Sequence, residues 1–477
     1  MFCIDDLLQG NQGRISIQGD LVPPPDLVFR SARHDSRECG LGDLYVAIKG
    51  ARVDGHRFIP DVARAGCSGV LCTTPHPEAP AHLLQFIVPD VVKALQLTAR
   101  HRVLRQPETI KIGITGSNGK TTTKEAIAAV LSASYPTLKT QASYNNELGY
   151  PLTLLQLEAA HRYAVLEMGA EWVGELRNLC ETIARPDWSV ITMVGSAHLK
   201  HFGTLENVAI AKSELVQVLA MDGIALLNYD DPAVRAMKEK TQARVIYYSR
   251  EAQTPVHASS IETQGLFGSR FTLHIGDQEL QVKLALPGPH GITTALAAAA
   301  VGYAASISID VIRDALETLS PVKGRGEVRQ GAGPNDSTLI DDTFNANRQS
   351  LIAMAQALNV TPLASGGKRW LVLGELLEQG EQSQQEHYAS GKELGGIIDR
   401  LIVIGDYARY LVASVQEAGI PPEHIYYFPA HPANEAEVEE CKQRVAELLK
   451  RQVTADDLVL VKGSRGMRME TLFPLLS

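Results

Sequence analysis

The chain has 477 residues, 45% of them hydrophobic and 21% charged, with a formal net charge of −9 at pH 7. That length is too great for one core and predicts two to four domains, while the acidic balance excludes nucleic acid as the main partner but not a nucleotide held by local groups. No apolar run reaches the about 18 residues of a membrane span and the N-terminal MFCIDDLLQGNQ lacks a basic leader region, so a cytoplasmic protein without membrane insertion is expected.

Residues 1–105 read as a small α/β unit. LYVAIKG (44–50) is a strand, FIPDVARAGCSGVLC a helix and a strand with Gly66 as the cap, and ALQLTARHRVLR (94–105) a helix. Residues 106–320 repeat strand then helix: Ile110–Ile114, the helix KEAIAAVLSA, the polar turn and helix YNNELGYPLTLL (144–155), and the strand RYAVLEMGA ending on Glu167. WSVITMVGSAH (188–198) reads as a strand running to His198, followed by a helix that holds Lys212. GIALLNYDD and ARVIYYS are further strands, FTLHIGDQELQVKL a hairpin about Gly276–Asp277, and ITTALAAAAVGYAASI a helix. From 321 to 477 strands at TLIDD, WLVLGE, LIVIG and LVLVKG alternate with helices. This alternation predicts an α/β protein of three domains: a small N-terminal unit, a central P-loop-type, mostly parallel sheet with helices on both faces, and a C-terminal Rossmann-like unit. The six cysteines form no CxxC pair and predict reduced, mostly buried thiols.

The chemistry concentrates in IGITGSNGKTTT (112–123). A strand stops at Gly116, Ser117, Asn118 and Gly119, and Lys120, Thr121 and Thr122 open a helix. Glycines let backbone N–H groups wrap an anion, the helix N-terminus adds favourable potential, and the lysine neutralises terminal phosphate charge. A hydroxyl at Thr121 or Thr122 is placed to hold Mg²⁺. The spacing departs from the strict Walker pattern, because Ile114 stands where that pattern has its first glycine. Ligands of open α/β sheets bind at the carboxyl ends of strands. That puts Glu167 and His198 on the same rim as the phosphate cradle. Spacing alone reads Lys212 as an exposed helical lysine.

Several stretches in shared order resemble the Mur ligase family: DSRECGLGDLYVAIKGARVDGHRF, TGSNGKTTTKE, YNNELGYPLTLL, VLEMGAEWVGEL, AHLKHFGTLENVAIAKSEL, DDTFNAN and LVKGSRGMRMETL. The resemblance implies three domains, taking in turn the UDP part of a substrate, ATP, and an incoming dipeptide. It implies ATP-dependent joining of D-alanyl-D-alanine to a UDP-N-acetylmuramoyl-tripeptide through an acyl phosphate, in a monomer, with two Mg²⁺. Carried over by residue, Lys120 binds the β- and γ-phosphates within the loop Gly116–Thr122. Thr121, Glu167, His198 and a carbamylated Lys212 serve the metals. Asn145 and Asn146 lie near the phosphates and the acceptor end. His290 serves the base, Asp342 the ribose, and Arg325 the γ-phosphate from the third domain. Ser36 and Arg52 match the uridine-contacting region, and Asn345, Asn347, Lys462, Ser464 and Arg465 fall in substrate-contacting motifs.

The chain departs from the family pattern in places. Gly291 and Thr294 stand at two positions where the family commonly has Asn. Glu171 and Trp172 replace a common Asn-His, Lys200 a frequent Glu, and Arg348 a frequent Pro. Three other readings remain open on sequence: another amide ligase of the superfamily, such as a folylpolyglutamate synthetase-like enzyme; a P-loop NTPase switch; and a binding paralogue without turnover.

Overall fold

The computed structural model describes residues 1–18, 22–50, 53–196 and 199–476. A two-stranded ribbon pairs β1 (Phe2–Cys3) with β3 (Val28–Phe29). The first main sheet holds β2 (Ser16–Ile17), β4 (Ala32–Arg33), β5 (Leu44–Val46), β6 (Gly69–Cys72) and β7 (Leu84–Ile87), in the order β2-β7-β6-β5-β4. Its helix Ile59–Arg64 stops where Gly66 takes φ +91°, the conformation that glycine adopts without a Cβ penalty.

The central sheet has nine strands: β8 (Ile110–Thr115), β9 (Thr137–Lys139), β10 (Tyr163–Glu167), β11 (Trp188–Ile191), β12 (Ile224–Asn228), β13 (Arg244–Ser249), β14 (Val256–Thr263), β15 (Ser269–Ile275) and β16 (Gln278–Leu284). Their order is β16-β15-β14-β13-β12-β11-β8-β10-β9, parallel from β9 to β14 and antiparallel through β14, β15 and β16. Side chains alternate across it. Ala164 and Leu166 join a core with the helices Glu175–Thr182 and Leu205–Gln217, whereas Val165 packs on the other face with Lys120–Ser132 and Gly288–Ala304. The first of these cores also takes in Phe2, Phe29, Phe86 and the helix Val91–Leu104, so the N-terminal unit and one face of the central sheet share an apolar interior.

The last sheet contains β17 (Glu327–Arg329), β18 (Thr338–Asp342), β19 (Arg369–Gly374), β20 (Arg400–Ile404), β21 (Ile425–Phe428) and β22 (Leu458–Lys462), ordered β17-β18-β22-β19-β20-β21. All pairs but β17–β18 are parallel. Sequence patterning located β18, β19, β20 and β22; in the central and last sheets it missed the short or edge strands β9, β17 and β21, and also β14, eight residues long and paired on both sides. The strand predicted to run from 188 to 198 ends at Ile191. Beyond it the chain crosses the phosphate loop: Ser117 N–H donates to Met193 O at 2.9 Å, and Gly195 N–H donates to Ser117 Oγ at 2.8 Å. These bonds replace a sheet ladder. The six thiols are unpaired, with Cys67, Cys72, Cys180 and Cys441 buried. No described helix is long and apolar enough to cross a membrane.

Candidate active site

A cavity of about 510 Å³ opens where the carboxyl ends of the central and last sheets meet. From the central unit it is lined by Ser117 to Thr122, Asn145, Asn146, Glu167 and His290. From the last unit come Arg325, Asp342, Asn345, Asn347 and Lys462.

The phosphate loop is fixed by its own backbone. Gly116 has φ +148°, and a Cβ there would meet Thr192 Oγ1 at 1.9 Å. Gly119 has φ +81° and starts the helix Lys120–Ser132 with no side-chain cap, which leaves the first amides directed at the cavity. Gly116 itself contributes backbone and is absent from the cavity wall. Lys120 Nζ donates to Gly116 O at 2.7 Å, folding back over the loop. Burial pushes its ammonium below the ordinary range, the carboxylate of Glu167 opposes that, and Arg325 adds to it. An anion in the cavity would relieve that tension by pairing with both cations.

Glu167 ends β10 and is 1% exposed. Its Oε1 accepts from Asn145 Nδ2 at 2.8 Å, while Oε2 is buried with no hydrogen-bond partner. An orphaned carboxylate oxygen inside a polar cavity is costly unless a cation or donor completes it. With the Thr121 hydroxyl on the same cavity wall, these are the hard oxygen donors that Mg²⁺ takes.

Lys212 lies just outside the cavity wall rather than on an exposed helix face. It is 2% exposed, its Nζ donates to Ala170 O at 3.0 Å, and it sits 5.3 Å from the ring centre of Phe202. Burial, with a smaller push from Lys120, brings its pKa down to about 7, against Glu175, Glu214 and Glu171. His198 and Arg52 lie outside the described residues.

The last unit supplies the other wall. Arg325 Nη2 donates to Thr121 Oγ1 at 3.0 Å, with its guanidinium 3.9 Å above the ring centre of Phe344. Lys462 Nζ donates to Asp342 Oδ2 at 2.5 Å and to Asn345 O at 3.0 Å. Burial raises the pKa of Asp342 and Lys462 opposes that. Asn347 Nδ2 donates to Asn118 Oδ1 at 2.8 Å across the two units. Its Oδ1 accepts from Ser350 N–H at 2.9 Å and so caps the helix Arg348–Val360. That helix turns Gln349, Ser350, Ala353 and Met354 to the cavity, near His290. His290 is held neutral, its pKa pushed down to about 4 by burial and by the charges of Lys462 and Arg250.

Three residues expected at the site stand apart from this wall. Ser464 is 2% exposed; its hydroxyl accepts from Leu377 N–H at 2.8 Å and donates to Ala346 O at 3.2 Å, so it braces the loop that carries Asn345 and Asn347. Arg465 points to Glu470 at 3.0 Å, with 63% of its side chain exposed. Ser36 sits in a short 3₁₀ turn capped by Asp35, two residues from His34, whose ring is 5.8 Å from that of Tyr144. Phe344, Gln349 and Met354 were missed. Phe344 had a signal, an aromatic inside DDTFNAN; the other two lie on a helix face that sequence periodicity assigns to no partner.

Three family models match in order: "Mur ligase family, catalytic domain" at residues 29–106, "Mur ligase middle domain" at 114–302, and "Mur ligase, glutamate ligase domain" at 324–465. A curated relative from Mycobacterium tuberculosis (strain CDC 1551 / Oshkosh), named UDP-N-acetylmuramoyl-tripeptide–D-alanyl-D-alanine ligase, is 35% identical over 93% of this chain and 92% of its own. A structure of UDP-N-acetylmuramoylalanyl-D-glutamyl-2,6-diaminopimelate–D-alanyl-D-alanyl ligase from Acinetobacter baumannii superposes with a TM-score of 0.81 at 30% identity, covering 100% of this chain and 98% of the other. MurF ligase from Thermotoga maritima in complex with ADP gives a TM-score of 0.78 at 28% identity, covering 94% and 98%. The ordered matches and the near full-length identity lead to one conclusion: this chain belongs to the Mur ligase family.

Proposed function

We propose that this chain joins D-alanyl-D-alanine to a UDP-N-acetylmuramoyl-tripeptide at the expense of ATP, a step of peptidoglycan precursor synthesis. The observation that carries the reading is the two-sided cavity, in which Arg325 of one unit meets Thr121 of the phosphate loop of another at 3.0 Å. A switch or motor NTPase can also draw an arginine from a second unit, but it hydrolyses ATP without organic substrates. In a ligase the same closure keeps an acyl phosphate from water.

A free carboxylate is a poor acyl donor, so its oxygen attacks the γ-phosphorus and ADP leaves. The amine of the dipeptide then attacks the activated carbonyl, an amide bond forms, and phosphate and a proton leave. Lys120 and Arg325 offset charge on the phosphoryl group as it moves. Two Mg²⁺, when bound, would screen the phosphate oxygens; Thr121 and Glu167 would hold them, with His198 and Lys212 assigned by family resemblance. Lys212 suits carbamylation because its lowered pKa leaves a neutral amine near neutral pH. Such an amine adds to carbon dioxide, forming an N–C bond and releasing a proton, and becomes an anionic oxygen donor. Asn145 orients Glu167, Asn146 lies beside it on the wall, His290 and Met354 border the base, and Asp342 takes the ribose hydroxyls. We assign residues 1–105 with Ser36 and Arg52 to the UDP end, 106–320 to ATP, and 321–477 with Asn345, Asn347 and Lys462 to the dipeptide side. Ser464 acts by holding that loop. The protein works as a monomer in the cytoplasm, where ATP and the UDP-linked precursor coexist.

The test is phosphate release and product mass on mixing the protein with UDP-N-acetylmuramoyl-tripeptide, D-alanyl-D-alanine, ATP and Mg²⁺. ATP hydrolysis that needs neither organic substrate, or turnover only with a different amine, would overturn the reading.

A further inference from the structure

Two thiols of the N-terminal unit come from separate loops and meet. Cys39 closes the 3₁₀ turn Ser36–Glu38 between β4 and β5 and is partly exposed. Cys67 lies between the helix Ile59–Arg64 and β6 and is 3% exposed. Backbone bonds hold the two loops together: Gly42 N–H donates to Gly66 O at 3.0 Å, and Ser68 N–H donates to Asp43 O at 3.0 Å. Cys39 packs against the small core of Tyr45, Val62 and Val70 that contains Cys67. Its S–H has two acceptors in reach, Asp35 O at 3.6 Å and the Cys67 sulfur. Neither thiol lines the phosphate cavity, and the ligase chemistry uses neither.

The contact prepares the pair for oxidation. With Cys39 donating to it, the Cys67 thiol is pulled below its ordinary pKa; burial and Asp43 oppose that, and Arg30 helps it. The same bond, with burial, raises the Cys39 thiol, so the pair gives up one proton readily and keeps the second. A reagent arriving from solvent meets Cys39, the more exposed sulfur. A low-molecular-weight disulfide, RSSR, is the oxidant. Cys39 attacks one of its sulfurs and hands its proton to the Cys67 thiolate; a Cys39–SR bond forms, the S–S bond of the reagent breaks, and RS⁻ leaves. Cys67 then attacks the Cys39 sulfur; the Cys39–Cys67 bond forms, the Cys39–SR bond breaks, and the second thiol leaves as RSH with the Cys67 proton. Two cysteine sulfurs are oxidised and one disulfide is reduced to two thiols.

Covalent closure draws the sulfurs nearer than a hydrogen bond holds them. Cys39 N–H donates to Ser36 O at 3.4 Å, so the turn that carries Ser36 moves with its cysteine. Disulfides of cytoplasmic proteins are usually transient and redox-sensing rather than structural. We propose that Cys39 and Cys67 form a reversible disulfide that displaces the Ser36 turn and weakens binding of the UDP-linked substrate. The bond itself stands apart from the ligase reading; its effect on affinity rests on the assignment of Ser36 to the UDP end.

The test treats the full chain with oxidised glutathione, maps its peptides without reductant, and measures the Kd for UDP-N-acetylmuramoyl-tripeptide by calorimetry. The expected result is a peptide joining Cys39 to Cys67 that separates on adding dithiothreitol, with Kd raised about fivefold or more while it persists and ATP affinity unchanged. Cys39→Ser should bind the UDP-linked peptide as the reduced protein does and lose the response to glutathione. Cys67→Ser should hold glutathione on Cys39 and form no cross-link. Cys3→Ser removes the other partly exposed thiol and should keep the whole response. Glutathione retained on Cys39 of the unaltered protein without a cross-link overturns the pair. A cross-link that leaves the Kd unchanged or lowers it overturns the effect on binding. Reduced protein that fails to bind the UDP-linked peptide, although the cross-link forms, removes the assignment of the N-terminal unit to UDP and the effect with it, but not the disulfide.

Discussion

The guanidinium of Arg325 donates to the hydroxyl of Thr121 at 3.0 Å, although 204 residues separate them in sequence. The contact joins the last unit to the first turn of the helix behind the phosphate loop, and Phe344 supports the arginine from beneath at 3.9 Å. This places a fixed cation where charge develops on the transferred phosphoryl group. Losing one such well-placed donor costs about 10²–10³ in kcat. Arg325→Ala should lose that much in single-turnover acyl-phosphate formation while nucleotide affinity changes far less. Arg325→Lys should recover little, because an ammonium lacks the planar fork that rests on Phe344 and reaches Thr121 together. An Arg325→Ala protein with near-normal turnover would show that the last unit does not take part in phosphoryl transfer.

Lys120 and Glu167 should fail differently. Lys120→Ala removes the cation that lies over Gly116 and Ser117, and turnover should fall by about two orders of magnitude or more. Glu167→Gln keeps the hydrogen bond geometry toward Asn145 but removes the charge from the orphaned Oε2. Its activity should recover in part at high Mg²⁺, with the half-saturating concentration raised about tenfold or more, since a hard cation loses an anionic oxygen. A magnesium titration that superposes on that of the unaltered protein would take Glu167 out of the metal site.

Lys212 predicts a dependence on both pH and carbon dioxide. Its pKa is brought down to about 7, so the amine is neutral above that value and an ammonium below it. Only the neutral form adds to carbon dioxide. At equal concentrations of dissolved carbon dioxide, protein stripped of bicarbonate should therefore regain activity faster at pH 8 than at pH 6. Lys212→Ala should be inactive, and a short carboxylate such as acetate should restore part of the activity. Full activity in Lys212→Ala, or no response to bicarbonate at either pH, would exclude the carbamate.

Much of this site was legible because its parts are local in sequence. A glycine turn between a strand and a helix, with Lys120 and Thr121 next in line, dictates a phosphate cradle whatever surrounds it. Glu167 was legible from the end of a buried strand. The joint between units was not. Asn118 and Asn347 bond across 229 residues, and nothing in either local pattern announces the other. The burial of Lys212 was hidden for the same reason: spacing placed it on a helix, and only packing of that helix beneath Ala170 and Phe202 removes it from water. The overlong strand at 188–198 shows the opposite error. Its apolar residues suited a strand, but the backbone after Ile191 is claimed by Ser117 and by Asp231, which accepts from Val194 N–H at 2.8 Å.

Gly291 is buried in the helix Gly288–Ala304. The family commonly carries Asn there, and its absence suggests a damaged base pocket. The structure offers another cause. A Cβ at residue 291 would lie 2.8 Å from Leu286 O and 2.9 Å from Leu286 Cβ, closer than atoms in a packed interior tolerate. Overpacking of this kind costs about 1–3 kcal/mol. Replacing glycine inside a helix returns at most about 1 kcal/mol of backbone entropy. Restoring the common residue alone should therefore harm the protein: Gly291→Asn should lower the thermal unfolding midpoint and weaken ATP binding. Leu286→Ala keeps the carbonyl oxygen, the carbonyl carbon and the Cβ that a side chain at residue 291 would meet, so adding it to Gly291→Asn should recover no ATP affinity. Tighter ATP binding by the single variant, without loss of stability, would mean that the helix can shift to admit a side chain and that the glycine is a loss in the pocket rather than a fit to Leu286.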